Sequence, residues 1–227
     1  MKNKNPENLS KIANLEKGVL AVNKPTGKTS FSLIHALRKL TKIQKIGHAG
    51  TLDPFASGVM ILLIGREYTR KSQEYMQDDK EYHTIFQLGI ETDSYDCTGK
   101  QLATSDKIPT KTEIDEILQK HFQGTVEQIP PMFSAKKVAG KKLYLLARQG
   151  KEIERKAATI SLKTTLLSYD YPYLTLSITC SKGTYIRSIA HDLGIMLQTG
   201  AHVLQLTRTR SGSYTIDECI DGNLLFA

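Results

Sequence analysis

Six consecutive apolar residues, Val59-Met60-Ile61-Leu62-Leu63-Ile64, follow directly on a twelve-residue stretch, Gly47 to Gly58, that holds three glycines, a proline and one acid. An apolar run of that length bounded by turn residues is the pattern of a buried strand. The stretch before it is therefore a loop tied at one end to the core. Gly47, Gly50 and Gly58 open backbone angles and close approaches that a Cβ forbids. Pro54 fixes its own φ and biases Asp53 toward an extended conformation, which narrows where the carboxylate can point. Asp-Pro between glycines is also the composition of an ordinary turn. The loop constrains the fold before it says anything about chemistry.

Around it, strands and helices mix without strict alternation, which predicts an α+β fold with a largely antiparallel sheet. Strands are expected over 18–23, 80–89, 158–167 and 173–180. In the second of these Tyr82, Thr84, Phe86 and Leu88 alternate as a half-buried strand requires. Helices are expected over 30–40, with Phe31, Ile34, Leu37 and Leu40 inward, over 67–76, and over 113–122, with Ile114, Ile117, Leu118 and Phe122 inward. A further helix opens at Thr184-Tyr185 with Arg187 in its first turn, and a short one covers 217–220. Asp93, Asp96 and Gly99 read as a polar turn. His191 and Asp192 diverge by about 100° on a helix, so they read as surface and not as a catalytic dyad.

The 227 residues suit one large domain or two small ones. Residues 1–16, polar and lysine-bearing, are expected to be a mobile tail, and 17–227 a single domain. Lys and Arg number 31 against 23 Asp and Glu, a net charge of +8, which favours a polyanionic partner, nucleic acid first. Much of the excess falls in Lys136, Lys137, Lys141, Lys142, Arg148, Lys151, Arg155 and Lys156, opposed by Glu152 and Glu154. No apolar run approaches the roughly 20 residues that span a bilayer, so no membrane role is expected. Cys97, Cys180 and Cys219 are scattered and show no metal spacing, as expected for reduced thiols in the cytoplasm, without a metal site. Gly27-Lys28-Thr29 after a strand looks like the tail of a phosphate-binding loop, but the glycine required five residues earlier is Val22. A phosphotransferase is excluded on that ground.

The string Gly47 to Gly58 resembles the catalytic loop of the pseudouridine synthases, in the form G-H-x-G-x-L-D-P-x-A-x-G. That form marks the TruB family, which makes pseudouridine 55 in the T loop of tRNA. Further segments resemble the same family in order: Val22-Asn23-Lys24-Pro25-x-Gly27; Lys80-x-Tyr82 through Leu88-Gly89 to Thr92-Asp93; Pro130-Pro131-x-x-Ser134-Ala135-x-Lys137; Cys180 to Ile189; and Gly200 to Gly212. The resemblance implies the pseudouridine synthase fold, a mixed, mostly antiparallel sheet with flanking helices and a central active-site cleft. Bacterial members often carry a C-terminal RNA-binding domain of the PUA type, and its absence is expected here, since the chain stops at Ala227.

The resemblance also implies roles. Asp53 is the nucleophile, and attack on the base and attack on the ribose are both compatible with the sequence. Carboxylates serve in covalent catalysis because they can attack and leave again. Arg187 pairs with that carboxylate. Tyr82 stacks on the target uracil, Tyr185 and Leu206 close the pocket, and His48 wedges into the RNA as the base flips out. Lys24 packs near the loop; the residues alone allow a solvated turn lysine equally well. The implied partner is the tRNA T arm, gripped in part by the basic 136–156 segment. No cofactor is implied, and a monomer that needs no protein partner is expected. Two other readings fit the residues: a non-catalytic tRNA-binding or folding factor, and a synthase acting on another RNA. The retained Asp53 argues against a pure binder, which gains nothing from a carboxylate facing phosphates.

Overall fold

The computed structural model describes residues 10, 12–138 and 140–226. In chain order the strands and helices are β1 (Gly18–Lys24), α1 (Ser30–Thr41), β2 (Ile46–His48), β3 (Ser57–Ile64), α2 (Arg66–Arg70), α3 (Ser72–Gln77), β4 (Lys80–Leu88), β5 (Ile90–Thr92), β6 (Gln101–Thr104), α4 (Lys111–His121) and β7 (Gln123–Gln128). Then come β8 (Lys137–Val138), β9 (Lys141–Lys142), α5 (Leu143–Ala147), β10 (Ala158–Asp170), β11 (Tyr173–Cys180), α6 (Ile186–Leu197), β12 (Ala201–Ser211), β13 (Tyr214–Thr215) and β14 (Ile220–Asp221). Short 3-10 turns cover Ile216–Glu218 and Gly222–Phe226. The class is α+β, with both parallel and antiparallel pairings and helices packed on the strands. No helix among the described residues is long and apolar enough to cross a membrane.

The chain divides into two compact units, one running to Tyr82 and resuming at Leu206, the other covering His83–Gln205. The chain passes between them inside β4 and inside β12.

In the first unit β3 is central. It pairs antiparallel with β1 from Gly18↔Ile64 to Lys24↔Gly58, antiparallel with β2, and parallel with β12 at Thr207↔Ser57 and Arg208↔Gly58. Met60, Leu62 and Ile64 face one cluster with Val22, Leu33, Ile34 and Leu37; Val59, Ile61 and Leu63 face a second with Ala49. A strand covered on both faces has no reason to alternate, which is why its sequence is an unbroken apolar run. Of the expected tail, residues 1–9 and 11 lie outside the described residues. Ile12 packs in the first cluster at 3% exposure, so that end of the segment is tied down by burial.

Helix α1 opens on Thr29, whose side chain accepts from the Ser32 N–H at 3.0 Å, and closes on Lys42 in the left-handed region at φ 62°. Its inward residues are Ser30, Leu33, Ile34, Ala36 and Leu37, while Phe31 is 63% exposed. A strict spacing of three drifts by about 60° per step, so Phe31 and Leu37 cannot both sit at the centre of one face. The helix expected over 67–76 is two pieces, α2 and α3, joined at Lys71.

In the second unit β11 and β7 flank β10 antiparallel, with an irregularity between Leu166 and Ser168, and β4 lies beside β11. The alternation read in β4 holds: Tyr82, Thr84, Phe86 and Leu88 are all buried. Helix α4 carries a reciprocal capping box between Thr110 and Glu113, and α4 and α6 pack together. Ile114 and Leu118 are the buried residues of α4, with Phe122 buried just past its end.

Candidate active site

The 47–58 loop belongs to the first unit and is fixed almost entirely through its backbone. Ser30, at the start of α1, donates from Oγ to the Leu52 carbonyl and accepts from the Leu52 N–H, each at 3.0 Å. The Gly27 N–H donates to the Pro54 carbonyl at 2.8 Å. Lys24 extends beneath the loop, its Nζ donating to the carbonyls of Lys28 at 2.6 Å, Pro25 at 2.9 Å and Pro54 at 3.3 Å. Arg208, on β12, donates from Nε to the Val59 carbonyl at 2.6 Å and from a terminal nitrogen to the Gly50 carbonyl at 3.4 Å. Ala49, Leu52 and Ala56 are buried pegs between these anchors, and Asp53 is left half-exposed.

Two cations thus lie under one loop. Lys24 is fully buried, which corrects the solvated-turn alternative: β1 alternates, and Lys24 shares the buried face with Val22. Burial drives the Lys24 pKa down to about 8; the Asp53 carboxylate opposes that fall and the Arg208 charge adds to it. At neutral pH the amine remains mostly protonated. His48, at the end of β2, is half-buried, and its Nδ1 finds no hydrogen-bond partner among the described residues. Burial first, and the Arg208 charge second, hold its pKa below the ordinary histidine value, which favours the neutral ring.

The second unit builds its own buried cation site. Arg187, in the first turn of α6 and 5% exposed, donates to the Ser94 carbonyl at 3.1 Å and to the Phe133 carbonyl at 2.9 Å, and lies 3.6 Å from the Asp96 carboxylate. Asp96 also ties its own turn, accepting from Ser94 Oγ at 2.8 Å, the Thr98 N–H at 2.9 Å and Thr98 Oγ1 at 2.6 Å. Tyr185 is the N-cap of α6 and stands just ahead of the helix, where the sequence predicts it inside the first turn. The proline-stiffened segment after β7 lies along this helix start: Ile129 accepts from Ser188 Oγ at 2.8 Å, and Phe133 accepts from Arg187.

The structure therefore gathers Lys24, His48 and Asp53 around one loop, and Arg187 and Tyr185 at one helix start. Tyr82 and Leu206 are both buried, at positions in β4 and β12. Arg208 and Asp96 were missed in the sequence. The signal for Arg208 was available, since it stands two residues from Leu206 in a strand and so shares its buried face. Asp96 does the turn work expected of it and, in addition, faces Arg187 with its second oxygen.

His191 and Asp192 are not surface, contrary to what their place in the sequence suggests. The His191 ring stacks on Tyr95 at 3.8 Å and 10°, and its Nδ1 is 3.5 Å from Glu91. Asp192 is half-buried, and burial raises its pKa to about 6. They diverge to different neighbours, so they form no dyad. Of the basic 136–156 run, Lys136, Lys141, Arg148, Lys151 and Lys156 are exposed, while Arg155 is engaged with Glu152 at 2.9 Å and the Pro130 carbonyl. No cluster of three or more potential metal ligands occurs among the described residues.

Residues 38–186 match the family model described as TruB family pseudouridylate synthase, N terminal domain, and residues 187–225 match the tRNA pseudouridylate synthase B C-terminal domain. The chain belongs to the TruB family. Proteins named tRNA pseudouridine synthase B are among its TruB relatives. That of Chlamydia abortus is 59% identical, over 93% of this chain and 89% of the relative. That of Protochlamydia amoebophila is 59% identical, over 90% and 78%, and that of Clostridium novyi 46%, over 92% and 72%. Among solved structures, a chain of a Cbf5-Nop10-Gar1 complex is 27% identical with a TM-score of 0.71, covering 94% of this chain and 54% of that one. This TruB-family chain spans about half the length of that protein. The two TruB segments meet between Ile186 and Arg187, inside the first turn of α6.

Proposed function

We propose that this chain isomerises uridine to pseudouridine at position 55 in the T loop of tRNA, with Asp53 as nucleophile. The glycosidic N1–C1′ bond breaks, the uracil turns, and a C5–C1′ bond forms; the C5 hydrogen leaves as a proton and N1 takes one up, so nothing is gained or lost overall. The observation that carries the reading is the 47–58 loop: two buried cations and a serine grip its backbone, while the one carboxylate it bears stays accessible. A nucleophile held in place through main-chain anchors has little freedom to lose on reaction, which is how positioning lowers a barrier. Arg187 pairs with the Asp53 carboxylate, Tyr82 stacks on the flipped uracil, and Tyr185 and Leu206 contact it. His48 wedges into the T loop. The flip costs a few kcal/mol, and base–aromatic stacking returns about 1–3 kcal/mol of it. Exposed lysines and arginines of the 136–156 segment contact phosphates. The chain works as a monomer, without cofactor or protein partner.

The test uses unmodified tRNA transcript carrying tritium at uridine C5, with no added cofactor. Release of tritium to water by the wild type and none by Asp53→Asn supports both reaction and nucleophile. Binding of the transcript without release by the wild type refutes the reading and leaves a tRNA-binding factor.

A further inference from the structure

Gln128 ends β7, pairs there with Ala158 of β10, and is 4% exposed. Its side-chain amide closes a two-bond ring on a single residue of another element. Gln128 Nε2 donates to the Tyr185 carbonyl at 3.0 Å, and Gln128 Oε1 accepts from the Tyr185 N–H at 2.8 Å. One amide can meet both groups only because Tyr185 is extended, at φ −108° and ψ 107°. In that conformation a residue's N–H and C=O point to the same side, as along the edge of a strand; in a helix they point in opposite directions.

We propose that Gln128 is a positioning residue for the isomerisation, an amide clamp that holds Tyr185 out of α6 and so sets where its ring stands. The Tyr185 carbonyl already accepts from the N–H groups of Ser188 and Ile189 as the first carbonyl of α6, so one more helical residue would only continue a pattern that has begun. The clamp opposes that step, because a helical Tyr185 could keep only one of its two bonds to the amide. Winding Tyr185 into the helix would rotate its Cα–Cβ bond and carry the ring to another place. At neutral pH the amide offers a donor and an acceptor side by side without charge, where an ionised carboxylate of the same length offers acceptors alone. The inference rests on the reading that Tyr185 contacts the target base.

The test is Gln128→Glu. A carboxylate accepts from the Tyr185 N–H but has no hydrogen for the Tyr185 carbonyl and repels it; a carboxylic acid does both jobs of the amide. The new acid is buried and faces a carbonyl oxygen, and both raise its pKa. His121, Glu127 and Asp192 line the same small cavity as Gln128, so all comparisons are made in an Asp192→Asn background. Tritium release by Gln128→Glu is expected to fall about tenfold below Gln128 at pH 8 and to recover to within about twofold at pH 5.5. The loss falls on kcat at saturating tRNA, because phosphate contacts that dominate affinity are untouched. Gln128→Leu loses activity at both pH values.

Activity of Gln128→Glu equal to the reference at pH 8, or a deficit that ignores pH, overturns the clamp. Tyr185→Leu separates the two layers. If it turns over normally, Tyr185 does not contact the base and the functional reading of that residue fails. If it is impaired while Gln128→Glu is not, the clamp alone fails.

Discussion

Gly58→Ala should be among the most damaging single-methyl additions the chain can receive. Gly58 sits at φ +109° in parallel register with Arg208, and a Cβ there would lie 2.2 Å from the Arg208 carbonyl oxygen and 2.6 Å from its nitrogen. Both atoms are backbone, so no rotamer relieves the overlap. β3 and β12 must part by about 1 Å to restore van der Waals contact. Left-handed backbone costs an alanine about 1–2 kcal/mol. Parting the strands also weakens the Arg208 bonds to Val59 and Gly50, at about 1 kcal/mol each. The sum, about 3–4 kcal/mol, is a large share of the 5–15 kcal/mol that typically holds a domain. Urea denaturation followed by circular dichroism reads it directly. Gly27→Ala is the control: it has φ +82° but nothing within 4 Å of a new Cβ, so only the backbone cost of about 1–2 kcal/mol applies. Tritium release by Gly58→Ala, measured where it remains folded, should fall at least tenfold as the loop bearing Asp53 shifts. If Gly58→Ala and Gly27→Ala cost the same and both stay active, the close approach of β3 to β12 is wrong.

Lys24 has a folded pKa of about 8 against the ordinary lysine value of 10.5, so between those values the unfolded chain binds more protons and stability rises with pH. The rise, at most about 3 kcal/mol at 1.36 kcal/mol per unit, should appear in wild type and be missing in Lys24→Met when the two are unfolded in parallel from pH 7.5 to 10.5. Asp192 is shifted the other way, to about 6, so its ionisation costs stability as pH rises from about 4 through 6. Asp192→Asn should therefore melt a few degrees above wild type at pH 7.5, about 1 kcal/mol after allowing for its partial exposure, and show no advantage at pH 4.5. A constant offset in differential scanning calorimetry would contradict this. For tRNA binding, Lys136→Ala with Lys141→Ala should lower the slope of log affinity against log salt by about 1–2, while Arg155→Ala, already paired to Glu152, should leave the slope nearly unchanged. Equal slopes for all three proteins would remove the basic segment from the interface.

What could be read in the sequence was whatever local pattern decides. The alternation of Tyr82, Thr84, Phe86 and Leu88 fixes a face whatever lies beyond it, and the run Val59–Ile64 announces a strand covered on both sides. The loop with Asp53 was legible because its glycines, proline and acid occur in one contiguous string. Buried charge was not legible. Lys24, Arg187 and Arg208 are classed by composition with solvated residues, and the carbonyls that hold them come from a local turn as well as from distant segments, none of which composition marks as an acceptor site. Asp96 was hidden by doing an ordinary turn task with the rest of its atoms. Gln128 carries no mark in the sequence, since its partner is 57 positions away. The inward face of α1 was misplaced for a smaller reason, a spacing rule applied past the point where its drift matters.

Lys24 and Gly27 grip the carbonyl of residue 54, Arg208 that of residue 50, and Ser30 both polar groups of residue 52. Every amino acid carries those handles except for the missing N–H of proline. The shape of the 47–58 loop is thereby insulated from the identity of its exposed side chains, such as Thr51. Over evolutionary time such a loop can change the face it shows to RNA while its carboxylate keeps its station, so drift in substrate range and retention of chemistry become separate events.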